Sequence, residues 1–558
     1  MKHKKARGFS SQPSSSSQGS ADLNLLQQWI TNGMQLFQVG QLAQAEYACQ
    51  QALKLDSDHP EALYLMGLIQ YQKGYRDQAI HHLRQALVSR PDWGDALSAL
   101  GVMLDHHGEQ QEAIAILKTA AQQHPDNALA HFNLGRALQR NGDLEAAAAS
   151  YQKSAQLQPS MEVFNNLGLL QFAQYQFADA LRSYEKAIQI RPNPFTLINM
   201  GDVSWAMGDL EAAAGHYRQA TQLDPGNVMA YKHLGKVLQK QEKFQDAIQA
   251  YQRAIDLNPT DAEAHLNLGN ALIWDHQFEA AEATLLRCLD LNSTLGDAWF
   301  NLADLHLVKG EAKAALETTN RGLEIDPLNT HGLSLKTISA IVHPGDPSLN
   351  VLLDYGQIFN ILQCNQVLPE ADLEAMNAAL IQFLKSHPTL AWEKSGNATR
   401  QGYHTGNLVK AEVAALTQLK TLIQKQGSQF LQQLAHDAQH PYAAYANQQL
   451  QISDLWGVVM QKGGHQIPHI HPSGVVSGVY YLQVLDQDPQ GCIEFGCYPE
   501  RFDLKQDHAP HCVQPQVGML ILFPSYLYHR TIPFAADQER ICIAFDLGVE
   551  GRGSRVTR

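Results

Sequence analysis

Small and apolar positions recur along the first 340 residues with a period of 33 or 34. Gly33, Gly67, Gly101, Gly135, Gly168, Gly201, Gly235 and Gly269 mark it, and Ala303 takes the next place. Twelve residues after each stands an alanine, from Ala45 through Ala147 and Ala180 to Ala315. Twenty-four after, most units place a proline, as at Pro91, Pro125 and Pro159; the first and eighth units have Ser57 and Ser293 instead. The pattern predicts a pair of short helices per unit. The glycine and alanine let the two helices approach closely, an apolar residue packs beside the glycine (Leu134-Gly135, Leu268-Gly269), and the proline stops the second helix.

Near Ala340 the period stops, and 343–347 reads as a linker rich in turn residues. Residues 350–385 are helical in pattern, 397–407 read as a loop, and 409–437 as another helix. From Gln449 the pattern changes to short alternating or apolar runs, at 451–461, 475–484, 492–495, 519–523 and 541–547, separated by turn residues. Many short strands of this kind predict a sandwich or jelly roll.

At 558 residues the chain is expected to hold more than one domain. Only 17% of residues are charged and the net charge is -14, which argues against broad binding to nucleic acid or anionic membrane. No apolar run reaches the roughly 20 residues that span a bilayer. Residues 1–20 begin with lysines and run into serines with no apolar stretch behind them. They read as a disordered tail rather than a secretory signal. The seven cysteines are scattered, so a disulfide framework is not expected and a reducing, cytoplasmic setting fits. Cys492 and Cys497 read as strand positions rather than a zinc pair.

The candidate chemistry lies near the C-terminus. His469 and His471 stand at i and i+2 on strand-like sequence, which puts both imidazoles on one face. His529 can close a metal site with them, and Arg540 can hold a carboxylate with its fork of donors. His465, His508 and His511 read as exposed loop residues.

The glycine, alanine and proline period resembles the tetratricopeptide repeat. The resemblance implies about nine repeats over 21–340, wound into a superhelix whose groove binds a protein or peptide. The blocks at 468–472, 477–482, 518–525, His529 and 540–545 resemble the iron(II)/2-oxoglutarate-dependent oxygenases, in particular the branch related to prolyl hydroxylases. This implies a double-stranded β-helix, or jelly roll, over 400–548. Flanking helices and a linker occupy 341–399, and a basic tail 549–558. By position, the resemblance makes His469, His471 and His529 iron(II) ligands. Arg540 and Tyr481 become the partners of the 2-oxoglutarate carboxylate, with Ser477 near a further cosubstrate position. The wider superfamily has a carboxylate where His471 stands, so Glu494 and Asp486 are alternative sources of one. The implied activity is hydroxylation coupled to oxidative decarboxylation of 2-oxoglutarate, with the repeats delivering a substrate. The alternative is an interaction protein whose oxygenase fold is only a platform.

Overall fold

The computed structural model describes residues 15–342, 351–393, 398–485, 490–502, 504 and 509–549. The expected linker at 343–347, Asp486, His508, and most of both expected tails lie outside these residues. The chain forms two compact units, Met1–Glu242 and Lys243–Arg558. The first begins with a helix over Ser15–Gln38, inside the stretch read as a tail.

Helical hairpins fill the first unit and the start of the second. Gly135 shows why the period needs glycine: a Cβ there would lie 2.7 Å from the ring of Tyr151, sixteen residues on. The same spacing pairs Gly168 with Tyr184 and Gly269 with Leu285. Where alanine replaces glycine, at Ala303, the residue sixteen on is the smaller Thr319. The nine periodic alanines, Ala45 to Ala315, are completely buried. First helices end on a left-handed residue, which is glycine at Gly40, Gly74, Gly108, Gly142, Gly208 and Gly310 but Tyr175, Glu242 and His276 in the other units.

The array ends in the second unit with a lone helix, Thr330–Val342. Behind it lie two antiparallel sheets built from β1 (Asn360–Gln363), β2 (Ala391–Trp392), β3 (Thr399–His404), β4 (Leu450–Gln466), β5 (Val476–Gln483), β6 (Ile493–Phe495), β7 (His511–Val513), β8 (Met519–Pro524), β9 (His529–Thr531) and β10 (Arg540–Val549). The major sheet runs β1-β8-β5-β10-β4-β3-β2 and the minor one β7-β6-β9. Helices Glu370–Lys385 and Ala414–His436 flank them.

Three expectations are corrected. The helix read over 350–385 starts only at Glu370, and β1 before it pairs with β8. The loop read over 397–407 contains β3. His465 lies on β4, and His511 opens β7 with its ring stacked on Tyr355 and Phe359, so neither is an exposed loop residue. All seven cysteines are free thiols, and Cys492 donates to Gln514 rather than joining a metal site. Among the described residues no helix is long and apolar enough to cross a membrane.

Candidate metal centre

His469 and His471 sit just beyond the end of β4 rather than on a strand. His469 forms an antiparallel bridge with His529, their backbones exchanging N–H···O bonds of 3.0 and 3.1 Å. A cross-strand pair puts both side chains on one face, and the ring centroids are 4.3 Å apart. His471 is set by a bond from its backbone N–H to the Ser525 carbonyl, 3.2 Å. The chain then turns sharply, and Gly474 passes so close that a Cβ would lie 2.6 Å from Ser525 Oγ. The His471 ring is 5.2 Å from that of His469 and 5.1 Å from that of His529.

One ring nitrogen of each histidine lies within 4.8 Å of the others, and among the described residues no other such cluster exists. The hydrogen bonds identify the nitrogen. His469 Nδ1 is 2.8 Å from the Ile467 carbonyl and His529 Nδ1 is 3.1 Å from the Leu527 carbonyl. His471 Nδ1 is 2.8 Å from Asp546 Oδ1. Carbonyl and carboxylate oxygens only accept, so each Nδ1 carries a proton and Nε2 is the nitrogen left to face a metal. This is the tautomer a metal-binding imidazole requires. Burial, and then the neighbouring imidazoles, hold His469 and His529 below the ordinary imidazole range, so both are neutral at pH 7. Trp456 stacks on His471, and Phe523 meets the His529 ring edge-on, so the wall is largely apolar.

The second expected group lies on the same face of the major sheet. Register pairs Arg540 with Met460, Cys542 with Tyr481, Ala544 with Trp456, and Asp546 with Ser477. Arg540 is buried. It donates to the Tyr481 hydroxyl at 3.2 Å and lies over the Tyr481 ring, with Met460 and Cys542 sulfurs beside it. Burial pushes the Tyr481 phenol and the Cys542 thiol up, so both stay neutral beside it. Among the described residues no carboxylate pairs with this guanidinium, and its Nε has no partner. A guanidinium is always charged, and leaving it unpaired in the interior is costly. Ala544, between Arg540 and Asp546, is the one residue in the middle of β10 that is not buried, which marks open space on that face.

Ser477 is placed elsewhere than expected. Its hydroxyl donates to Asp546 Oδ1 at 2.7 Å and pairs with Ser525 Oγ, also at 2.7 Å, so it belongs behind His471 and not beside Arg540. Glu494 does not supply the triad with a carboxylate. It pairs across the strands with Arg530, to which it is bonded at 2.6 Å, while its neighbour Phe495 faces His529. The residue the sequence reading missed is Asp546. Its signal was there: a lone acid inside the apolar strand 541–547.

Family models described as "TPR repeat" and "Tetratricopeptide repeat" match residues 36–101, 112–162, 132–195, 201–242, 240–273 and 266–330. A model described as "Putative 2OG-Fe(II) oxygenase" matches residues 454–546, which contain all three histidines, Tyr481, Arg540 and Asp546. The chain is thus a tetratricopeptide repeat protein fused to a domain of that oxygenase family. Solved structures similar to part of it include PilF of Pseudomonas aeruginosa, 21% identical, with a TM-score of 0.34, covering 37% of this chain and 95% of that one. MamA from Desulfovibrio magneticus RS-1 is 23% identical, with a TM-score of 0.29, covering 30% and 95%. A thermophilic tetratricopeptide protein of Thermus thermophilus is 23% identical, with a TM-score of 0.28, covering 33% and 98%. No curated protein matches the chain.

Proposed function

We propose that the C-terminal domain is an iron(II)- and 2-oxoglutarate-dependent dioxygenase that hydroxylates a substrate brought by the repeats. The observation that carries this reading is Arg540, a buried guanidinium that pairs with no carboxylate among the described residues, on the sheet face that also leads to the three imidazoles. A dicarboxylate cosubstrate satisfies both ends. His469, His471 and His529 would hold iron through Nε2. Arg540 would hold the distal carboxylate with two donors, and Tyr481, neutral at pH 7, would add a third. Iron with 2-oxoglutarate supplies the oxidising chemistry. The protein fixes geometry and excludes water with Trp456, Phe523 and Phe495.

The test is titration of 2-oxoglutarate into oxygen-free, iron-loaded protein, following the metal-to-ligand charge-transfer band and the heat. Arg540→Ala should weaken binding by hundreds-fold or more, since breaking a buried charged pair on one side costs about 3–5 kcal/mol. Arg540→Lys should fall between. No band and no heat in wild type would refute the cosubstrate, and the interaction-protein alternative would then stand.

The repeats support a peptide partner. Asn133, Asn166 and Asn199 stand two residues before their glycines on the consecutive first helices Ala128–Asn141, Met161–Ala173 and Pro194–Ala206. All three are half-buried. Among the described residues none is hydrogen-bonded to protein. A carboxamide offers one acceptor and two donors, as a peptide backbone needs. Replacing all three by alanine should lower capture of extended peptides on an array while leaving helical circular dichroism unchanged. Equal capture removes this support.

A further inference from the structure

Three imidazoles are an unusual cage for a divalent cation. Where related sites place a carboxylate against the ion, this chain places His471. Yet a carboxylate is present one residue out. Asp546 is 4% exposed and lies on β10 with its Oδ1 2.8 Å from His471 Nδ1. The same oxygen accepts from Ser477 Oγ, itself paired with Ser525 Oγ. Ser525 in turn takes the His471 backbone N–H on its carbonyl, so the carboxylate, the ring and the main chain of His471 are locked to one serine pair. Among the described residues no lysine or arginine pairs with Asp546; its charge is directed at His471.

We propose that Asp546 supplies the missing negative charge of the metal centre through His471. It accepts the Nδ1 proton in a charge-assisted bond and so makes Nε2 the strongest donor of the three. A carboxylate bonded to Nδ1–H pulls the proton and leaves more electron density on Nε2, which strengthens the bond to a cation. The other two histidines rest their Nδ1 protons on neutral carbonyls, those of Ile467 and Leu527. His471 alone carries an anion behind it. Asp546 is a positioning residue, acting through His471, and the inference rests on the metal reading of the site.

That division of charge makes a reciprocal prediction. Putting a carboxylate directly at 471 while Asp546 remains crowds two anions into one buried space. Removing the Asp546 charge at the same time leaves a single carboxylate at the ion.

The experiment uses the full chain and cobalt(II), which needs no oxygen-free handling, read by its visible d–d absorption and by calorimetry. Wild type should bind one equivalent. Asp546→Asn, which keeps the shape and loses the charge, should bind about 10–100-fold more weakly. His471→Asp alone should also bind weakly. The double variant His471→Asp, Asp546→Asn should bind more tightly than either single variant, with a d–d spectrum changed by the exchange of a nitrogen donor for oxygen. A structural role for Asp546 predicts no such rescue. The double variant keeps one buried carboxylate, so it tests the proposal even where Asp546→Asn alone fails to fold. Wild-type affinity in a folded Asp546→Asn protein, or a double variant that binds no better than either single one, overturns the charge role and leaves the metal site standing. Absence of cobalt binding in wild type overturns the metal reading and this proposal with it.

Discussion

At the scale of single residues, two positions outside the site make testable demands. Tyr175 ends its helix at φ 60°, where six other units use glycine. It is 80% exposed, and its ring makes only an edge contact with Phe177. A non-glycine residue in this region costs about 1 kcal/mol or more, and glycine's greater freedom in the unfolded chain returns part of that. Tyr175→Gly is therefore expected to stabilise the first unit by a few tenths to about 1 kcal/mol, seen as a higher urea midpoint. A lower midpoint counts against the strain. His440 makes a demand of the opposite kind. It is 3% exposed and accepts the Tyr442 backbone N–H on Nδ1, with the Tyr526 hydroxyl near Nε2. Burial holds its imidazole down to about 4. The unfolded chain binds that proton from about pH 6.5 downward while the folded chain refuses it, so stability falls as the solution is acidified. Between pH 7 and pH 5 the loss from this group is about 2 kcal/mol. Urea melts at both pH values should show it in wild type, and His440→Gln should lose less on acidification. Equal losses show that His440 does not drive the dependence.

At the scale of elements, the glycines separate two effects that usually act together. Alanine is a better helix residue than glycine by about 1 kcal/mol. At Gly33 the nearest atom to an added Cβ is the flexible Leu65 Cδ2 at 3.2 Å, and Gly33→Ala should be neutral or stabilising. At Gly168 the Cβ falls 2.6 Å from the ring of Tyr184, which is wholly buried and has nowhere to move. Overpacking costs about 1–3 kcal/mol and outweighs the helix gain, so Gly168→Ala should destabilise. Thermal melts of both variants check the pair, and matching shifts would discredit the close-approach account. This logic also explains what was legible. Gly135 meets Tyr151 only sixteen residues away, and the arrangement repeats, so the repeat half could be read from spacing. The long central strands could be read from their apolar runs. β1 could not: four residues, half-exposed, paired with β8 far along the chain. Nor could β3, whose Gly402 and the following Thr405-Gly406 read as loop residues. Asp546 was visible as an oddity, but its target His471 is joined to it only by the fold, through β10 and the turn after β4.

At the scale of the whole molecule, the second unit joins the end of the repeat array to the metal loops in one core. Phe300 is 1% exposed and wedged so tightly that a Cβ on Gly322 or Gly332 would come within about 2.5 Å of its ring. It packs in a cluster with Leu335 and Ile338 of the last repeat helix and with Tyr498, Phe502, Tyr528 and Ile470 of the sheet domain. Ile470 lies between His469 and His471, and Tyr528 immediately precedes His529. Arg501 bonds Asp304 at 2.9 Å, and Thr330 Oγ1 donates to the Gly474 carbonyl at 3.2 Å, in the turn after His471. The repeats therefore buttress both loops that carry the histidines. Phe300→Ala removes the centre of this cluster, at a cost of about 3–5 kcal/mol. It is expected to lower the melting temperature and, because the loops lose their backing, to weaken cobalt(II) binding well below the melt. Gly168→Ala, which perturbs the first unit, should lower stability and leave metal affinity unchanged. If Phe300→Ala binds cobalt as tightly as wild type at a temperature where it is folded, the metal loops hold their own geometry. The repeat contact then serves stability alone.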